Sequence, residues 1–474
     1  MIKTSIQLAV WLLAGSNFAL QAQPHTGPEK PAATGISYWL TKSDASVKFA
    51  KQPANLVFKK GTSALPTITV DAAQTFQEID GFGYALTGGS ATLIHSLGPE
   101  KEDALLKELF LTDGNNIGVS YLRVTIGASD LSDTTFTYDD MPAGQTDEKL
   151  EHFSITREEK DLLPVLKKIL ALNPAIKILG SPWTSPTWMK TNNSFKGGSL
   201  KPEYYGVYAQ YFVKYIQAMQ AAGVTIDAIT PQNEPLHGGN VPSLVMQPQE
   251  QADFIGSHLG PALRAAGLKT KIIVYDHNAD RPDYPITVLN DKKANPFVDG
   301  SAFHLYGGPI TALTEVHNAH PDKHIYFTEQ WVGAPGEFPK NLPWHISQLI
   351  IGATRNWSRN VLEWNLAADA NYDPHTVGGC TKCLGAVTIG ADVERNVAYY
   401  IIAHASKFVR PGSVRIGSNV PEKLNNVAFK TPDGKKVLIV INEGTTTQQF
   451  NIGFKGKTAA ASLDGGTVAT YVWE

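Results

Sequence analysis

A carboxyl group is available for chemistry when the chain leaves it at the end of a strand, outside the core and near a partner. Two glutamates fit that description. The run VTIDAIT closes on PQNEP, which sets Asn233 and Glu234 after an apolar strand. Much further along, HIYFTE ends in Glu329. Paired carboxyls of this kind suit the cleavage of a glycosidic bond: one protonates the leaving oxygen while the other serves the anomeric carbon. The residues around them have the matching chemistry. Trp183 and Trp188 stand in SPWTSPTW, Trp364 in EWNL, Trp331 just past Glu329, His304 and Tyr306 in FHLY, and Asp130 in GASD. Indole faces cover the apolar faces of sugar rings, and amides and acids meet the hydroxyls. Asn233 is placed to bond a 2-hydroxyl, a contact that strengthens in the transition state.

Taken singly, each residue has a plain structural reading. A strand-end Glu is usually solvated, a Trp is core or rim, a histidine such as His304 is a hydrogen-bonded structural residue, and Asp130 caps a turn. The functional reading gains weight because the residues fall at the same ends of different strands.

Those strands are short apolar, β-branched runs: 78–84, 120–126, 176–182, 225–231, 271–276, 300–306, 324–329 and 361–366. Segments with helical periodicity lie between them, at 99–110, 157–172, 202–223, 249–267 and 343–357. Strand–helix alternation of this length predicts an α/β fold, a (β/α)8 barrel whose active site lies at the C-terminal ends of its strands. An open doubly wound sheet is the competing arrangement, but no GxGxxG follows a strand. After about residue 410 the pattern changes to alternating apolar residues with turn pairs such as Asp433-Gly434, which predicts a small antiparallel β-sandwich. The expected organisation is a signal peptide over 1–22, a leader over 23–37 and N-terminal strands over 38–74 that join the sandwich. The catalytic barrel then spans 75–409 and the sandwich 410–474.

The signal peptide is read from Lys3, the apolar stretch Leu8–Ala14 and the small and polar residues after it. That run is too short for a comfortable membrane span. A secreted or periplasmic protein with no stable membrane insertion is therefore expected. With 41 Lys and Arg against 44 Asp and Glu the net charge is −3, which gives no field to draw in nucleic acid. The only cysteines, Cys380 and Cys383, form CTKC. In a secreted chain this is a disulfide candidate or two free thiols, and it lacks the second half of a four-ligand zinc site.

From about residue 75 to the end the chain resembles glycoside hydrolase family 30, the family of lysosomal glucosylceramidase. SPWTSPTWMKTN (181–192), YFVKYIQAM (211–219), EWNLA (363–367) and GFGYALTGGSA (81–91) carry the resemblance. It implies a retaining hydrolase that needs no cofactor or metal. Glu234 would be the acid/base and Glu329 the nucleophile, with Asn233 on the 2-hydroxyl. Asp130, Trp183 and Trp364 would hold the sugar whose bond is cut, and Tyr306 would stand beside the nucleophile. On this assignment Glu234 is expected to hold its proton and Glu329 its charge. The loop DPHTVGGCTKCLGAVTIG (373–390) looks more like the endo-β-1,6-glucanases of the family than the lysosomal enzyme. That points to a β-glucan substrate with further subsites, to which Trp331 and His237 are placed to contribute. Glucosylceramide is the alternative substrate, and a non-catalytic carbohydrate-binding protein on a hydrolase scaffold is the alternative of another class. The survival of both acids speaks against the last.

Overall fold

The computed structural model describes Met1 and residues 35–61 and 63–474, so all of the expected signal peptide but Met1 and most of the leader lie outside the described residues. Eight parallel strands form the central sheet. They are β1 (Gly81–Leu86), β2 (Tyr121–Thr125), β3 (Lys177–Ser181), β4 (Ala228–Ile229), β5 (Lys271–Asn278), β6 (Val298–His304), β7 (His324–Glu329) and β8 (Asn360–Asn365). Neighbours pair in sequence order and β8 returns to β1. Between β7 and β8 the closure is looser: a single parallel bridge joins Ile325 to Ser358, and Arg359 N–H donates to Ile325 O. The result is a nearly closed barrel.

Two strands differ from the sequence reading. The expected strand 78–84 is split, because Ile79 ends a long strand, Thr67–Ile79, of the other domain and β1 starts at Gly81. β4 is only two residues long, so the chain leaves the ladder early and reaches Glu234 as irregular backbone. The barrel interior is filled at its lower end by Tyr121, Leu179, Ala228, Ile273, Ala302, Tyr326 and Leu362. These come from seven different strands, so the barrel is a packed core rather than a pore.

Helices pack outside it. Leu162–Leu172 buries Leu162, Leu163, Val165, Leu166 and Ile169, the one-sided spacing of an amphipathic helix. The expected helix 249–267 is continuous but contains a wider π turn, Ile255–Leu259. There Gly260 lies against Phe297, whose ring a β-carbon would meet at 2.2 Å.

The second domain is a sandwich whose strands pair antiparallel, as expected, except that Thr67–Ile79 and Gln448–Phe454 run parallel. Its own core includes Ile68, Val70, Leu438, Val440, Phe450, Ile452, Tyr471 and Trp473. Both chain ends build it. Gly35–Thr41 pairs with Val468–Trp473, and Thr67–Ile79 pairs with Ser413–Ser418 and Gln448–Phe454. His404, buried on a barrel helix, links the domains: its ring nitrogens lie 2.8 Å from Thr41 Oγ1 and 2.9 Å from Thr470 Oγ1. Among the described residues no helix is long and apolar enough to cross a membrane.

Candidate active site

The C-terminal ends of the strands are irregular in a repeated way. Pairing of β5 with β6 skips Asp276, pairing of β6 with β7 skips Thr328, and pairing of β8 with β1 skips Trp364. Each skip is a bulge that re-aims one side chain. The backbone is also strained here. Glu234 has φ +44°, Tyr275 +74° and Asp276 +62°, the left-handed region that non-glycine residues avoid. Each such residue costs about 1–3 kcal/mol and persists only where its surroundings hold it. Glu234 is held by its own N–H, which donates to Asp276 O at 3.0 Å, while Asn233 N–H donates to Pro182 O at 2.8 Å. The acid is therefore pinned between the ends of β3 and β5.

The two glutamates meet. One oxygen of Glu234, one of Glu329 and a ring nitrogen of His304 lie within 4.8 Å of one another. Separations near 5–5.5 Å leave no room for a water between the carboxyl and the sugar, whereas inverting enzymes keep about 6.5–9.5 Å. Glu329 accepts from Arg123 Nη1 at 2.5 Å and from the Tyr306 hydroxyl at 3.0 Å. Arg123 also donates to Asn233 Oδ1 at 2.6 Å, Asp276 Oδ2 at 2.7 Å and Ser181 Oγ at 3.2 Å. Asp276 is saturated further by Thr230 and Thr328, at 2.7 and 2.6 Å. His304 spans the gap, with Nε2 3.1 Å from Asp276 and Nδ1 3.2 Å from Glu234.

This network sets the charges. Burial disfavours the His304 imidazolium, but Glu329, Asp276 and Glu234 surround it and lift its pKa to about 9. Burial pushes Glu234 up, and the adjoining His304 imidazolium more than offsets this, so Glu234 ends below the ordinary carboxylate value. Glu329 stays raised: its burial outweighs the pull of His304 and Arg123, and Glu234 and Asp276 add repulsion. In the free pocket the order is thus the reverse of the sequence expectation. The reason is His304, which brings a cation to Glu234. Asp130 rises to about 7 through burial and the fields of Glu329 and Glu234.

A cavity of about 290 Å³ opens above the pair. Asp130, Trp183, Tyr306, Trp331 and Trp364 line it with the two acids, as do His237, Asn240, His277 and the Cys380–Cys383 disulfide. Trp183 and Trp364 are stacked at 5.2 Å, with the Arg123 guanidinium 4.8 Å over the Trp183 ring. His304 and Asn233 sit beneath the acids instead of on the cavity wall, one bonded to Glu234 and the other to Arg123. Trp188 lies away from the cavity and donates its indole N–H to Asp139 O. Sequence reasoning missed Arg123, Asp276 and His277. The signals were present: an arginine inside the apolar strand SYLRVTI, and Asp-His at the end of the apolar strand β5. By residue type Glu234, His304 and Glu329 could ligate a cation. The His304–Glu234 hydrogen bond and the Arg123 and Tyr306 donors on Glu329 already balance them, which favours a protonic role.

The family profile described as "Glycosyl hydrolase family 30 TIM-barrel domain" matches residues 79–409, and that described as "Glycosyl hydrolase family 30 beta sandwich domain" matches 412–471. An endo-1,6-beta-D-glucanase of Neurospora crassa is 38% identical over 405 residues, 81% of this chain and 83% of the relative. A putative glucosylceramidase 2 of Caenorhabditis elegans is 33% identical over 79% of this chain and 76% of its own. Among solved structures, the endo-beta1,6-glucanase BT3312 superposes with a TM-score of 0.86 at 36% identity, covering 93% of this chain and 99% of its own.

Proposed function

The chain belongs to glycosyl hydrolase family 30, and we propose that it is a retaining endo-β-1,6-glucanase with Glu329 as nucleophile and Glu234 as acid/base. The approach of the two carboxyls to within 4.8 Å carries the retaining assignment. Glu329 receives the Arg123 guanidinium and the Tyr306 hydroxyl, donors that stabilise the carboxylate while it attacks and again when it departs. Glu234 and His304 share a proton across 3.2 Å. Passage of that proton from Nδ1 to the carboxyl makes Glu234 the acid and leaves His304 neutral, its remaining N–H on Asp276.

In the first step a Glu329 oxygen bonds to the anomeric carbon, the glycosidic bond breaks, and the leaving oxygen takes the Glu234 proton. The ester so formed has lost the Glu329 charge, and Glu234 is now ionised. It removes a proton from water, whose oxygen displaces Glu329 from the same carbon. The rate is bell-shaped in pH, and its limbs belong to the coupled group of Glu234, Glu329 and His304 rather than to one residue.

The similarity to β-1,6-glucanases, and a cavity with Trp331, His237 and Asn240 beyond the acid, support a glucan substrate. Glucosylceramide is the second reading, favoured by the similarity to the nematode protein. Product analysis on β-1,6-glucan beside glucosylceramide decides: gentio-oligosaccharides of several lengths from the glucan are expected, and cleavage of the lipid alone overturns the reading. A site of action outside the cytoplasm is part of the same proposal. The N-terminal apolar run and the Cys380–Cys383 disulfide, a bond that persists in oxidising compartments, support it.

A further inference from the structure

His277 follows Asp276 on β5 and lines the cavity beside Glu234. It is 8% exposed. Its Nε2 stands 3.9 Å from Glu234 Oε1, too far for a hydrogen bond, and its Nδ1 is buried without a partner. Burial lowers its pKa to about 4, so the ring is neutral near pH 7, with one N–H and one lone pair. A polar nitrogen without a partner in a site signals an absent one, and the ring nitrogen beside Glu234 at the cavity is Nε2. The floor of the cavity is formed by the nearly buried Trp183, Trp364 and Asp130, whereas at its rim Asn240 and Trp331 are half-buried and His237 is exposed. His237 N–H donates to Glu234 O at 2.8 Å, which fixes that rim to the acid. The sugar that departs must lie next to the group that protonates its oxygen, hence on the His277 side.

We infer that His277 is a specificity-determining residue that hydrogen-bonds a hydroxyl of the departing sugar, with His237 and Asn240 beside it. The inference rests on the proposed glucanase reading. A neutral imidazole suits the place: it can donate to or accept from a hydroxyl without adding a second cation that would hold Glu234 ionised.

The test compares β-1,6-linked glucotriose, which leaves a sugar behind, with phenyl β-glucoside, whose poor leaving group needs the same acid but offers no hydroxyls. His277→Ala is expected to lower kcat/KM on the trisaccharide about 10- to 100-fold and on the phenyl glucoside less than about threefold. His277→Asn, which retains a donor and an acceptor, should recover part of the loss. Equal losses on both substrates would make His277 a positioning residue for Glu234 and overturn the inference, as would an undiminished rate on the trisaccharide. A parent enzyme that cleaves the phenyl glucoside and no β-1,6 bond overturns the glucanase reading, and this assignment with it.

Discussion

At the scale of residues the site is a charge balance, and single substitutions expose its parts. Glu329→Gln removes the nucleophile while keeping its shape, and a loss near 10⁶-fold, about 8 kcal/mol, is expected. Glu234→Ala should lose most activity on phenyl β-glucoside but retain far more on a dinitrophenyl glucoside, whose leaving group needs little protonation. Equal losses on the two would count against Glu234 as the acid. His304 predicts a pH effect on stability. Its pKa rises from 6.5 to about 9 on folding, so its stabilisation is complete below pH 6.5 and is lost as pH rises through about 9. Unfolding by denaturant at pH 6, 8 and 10 should show the parent's advantage over His304→Asn shrinking by about 3 kcal/mol across that range. A constant difference would mean that the ring is not an imidazolium in the folded protein.

At the scale of elements, bulges and one short bridge shape the pocket. Asp276, Thr328 and Trp364 each occupy a skipped position, so side chains that regular pleating would send elsewhere converge on Arg123 and the cavity. The loop after β8 lies on the site: Thr376 N–H donates to Asp130 O, and a β-carbon at Gly379 would meet that same oxygen at 2.4 Å. Cys383 then pairs with Gly333 in a two-residue ladder, setting the disulfide against the strand that follows Trp331. Because Cys380 and Cys383 close so small a loop, crosslinking stabilises the fold by only about 2 kcal/mol or less. The double substitution Cys380→Ser, Cys383→Ser should therefore move Tm by a few degrees and raise KM. A large fall in Tm with KM unchanged would give the bond a purely structural role.

At the scale of the molecule the sandwich is a second support for the barrel. His404, its pKa lowered to about 3 by burial, is neutral and bonds Thr41 and Thr470 from both chain ends. Arg355, on the barrel side, donates to Asn426 O at 2.5 Å and Ser418 O at 2.9 Å. Cutting the chain at the seam leaves these groups and the adjoining apolar surface uncovered. The barrel expressed alone over residues 75–409 is expected to be insoluble or rapidly proteolysed, and a soluble, active barrel would show that the sandwich is dispensable.

Much of this was legible in the sequence because periodicity and residue type are local properties. Strand–helix alternation specified a barrel, the change of pattern near residue 410 marked the sandwich, and Asn233-Glu234 and Glu329 stood out as polar groups ending apolar strands. Which groups touch was not legible. Arg123 and Glu329 are far apart in sequence, and only closure of the barrel brings them to 2.5 Å. Whether Glu234 holds a proton depends on His304, which ends β6 between the bulges of β5 and β7 and reaches Glu234 there, not through any spacing in the chain. A pKa follows from burial and from neighbours a few ångströms away, and both exist only in the folded state. The sequence by itself determined the chemical groups and the ends of the strands that carry them. The tertiary structure decided which of those groups share a proton, which share a cation, and which stand idle facing the cavity.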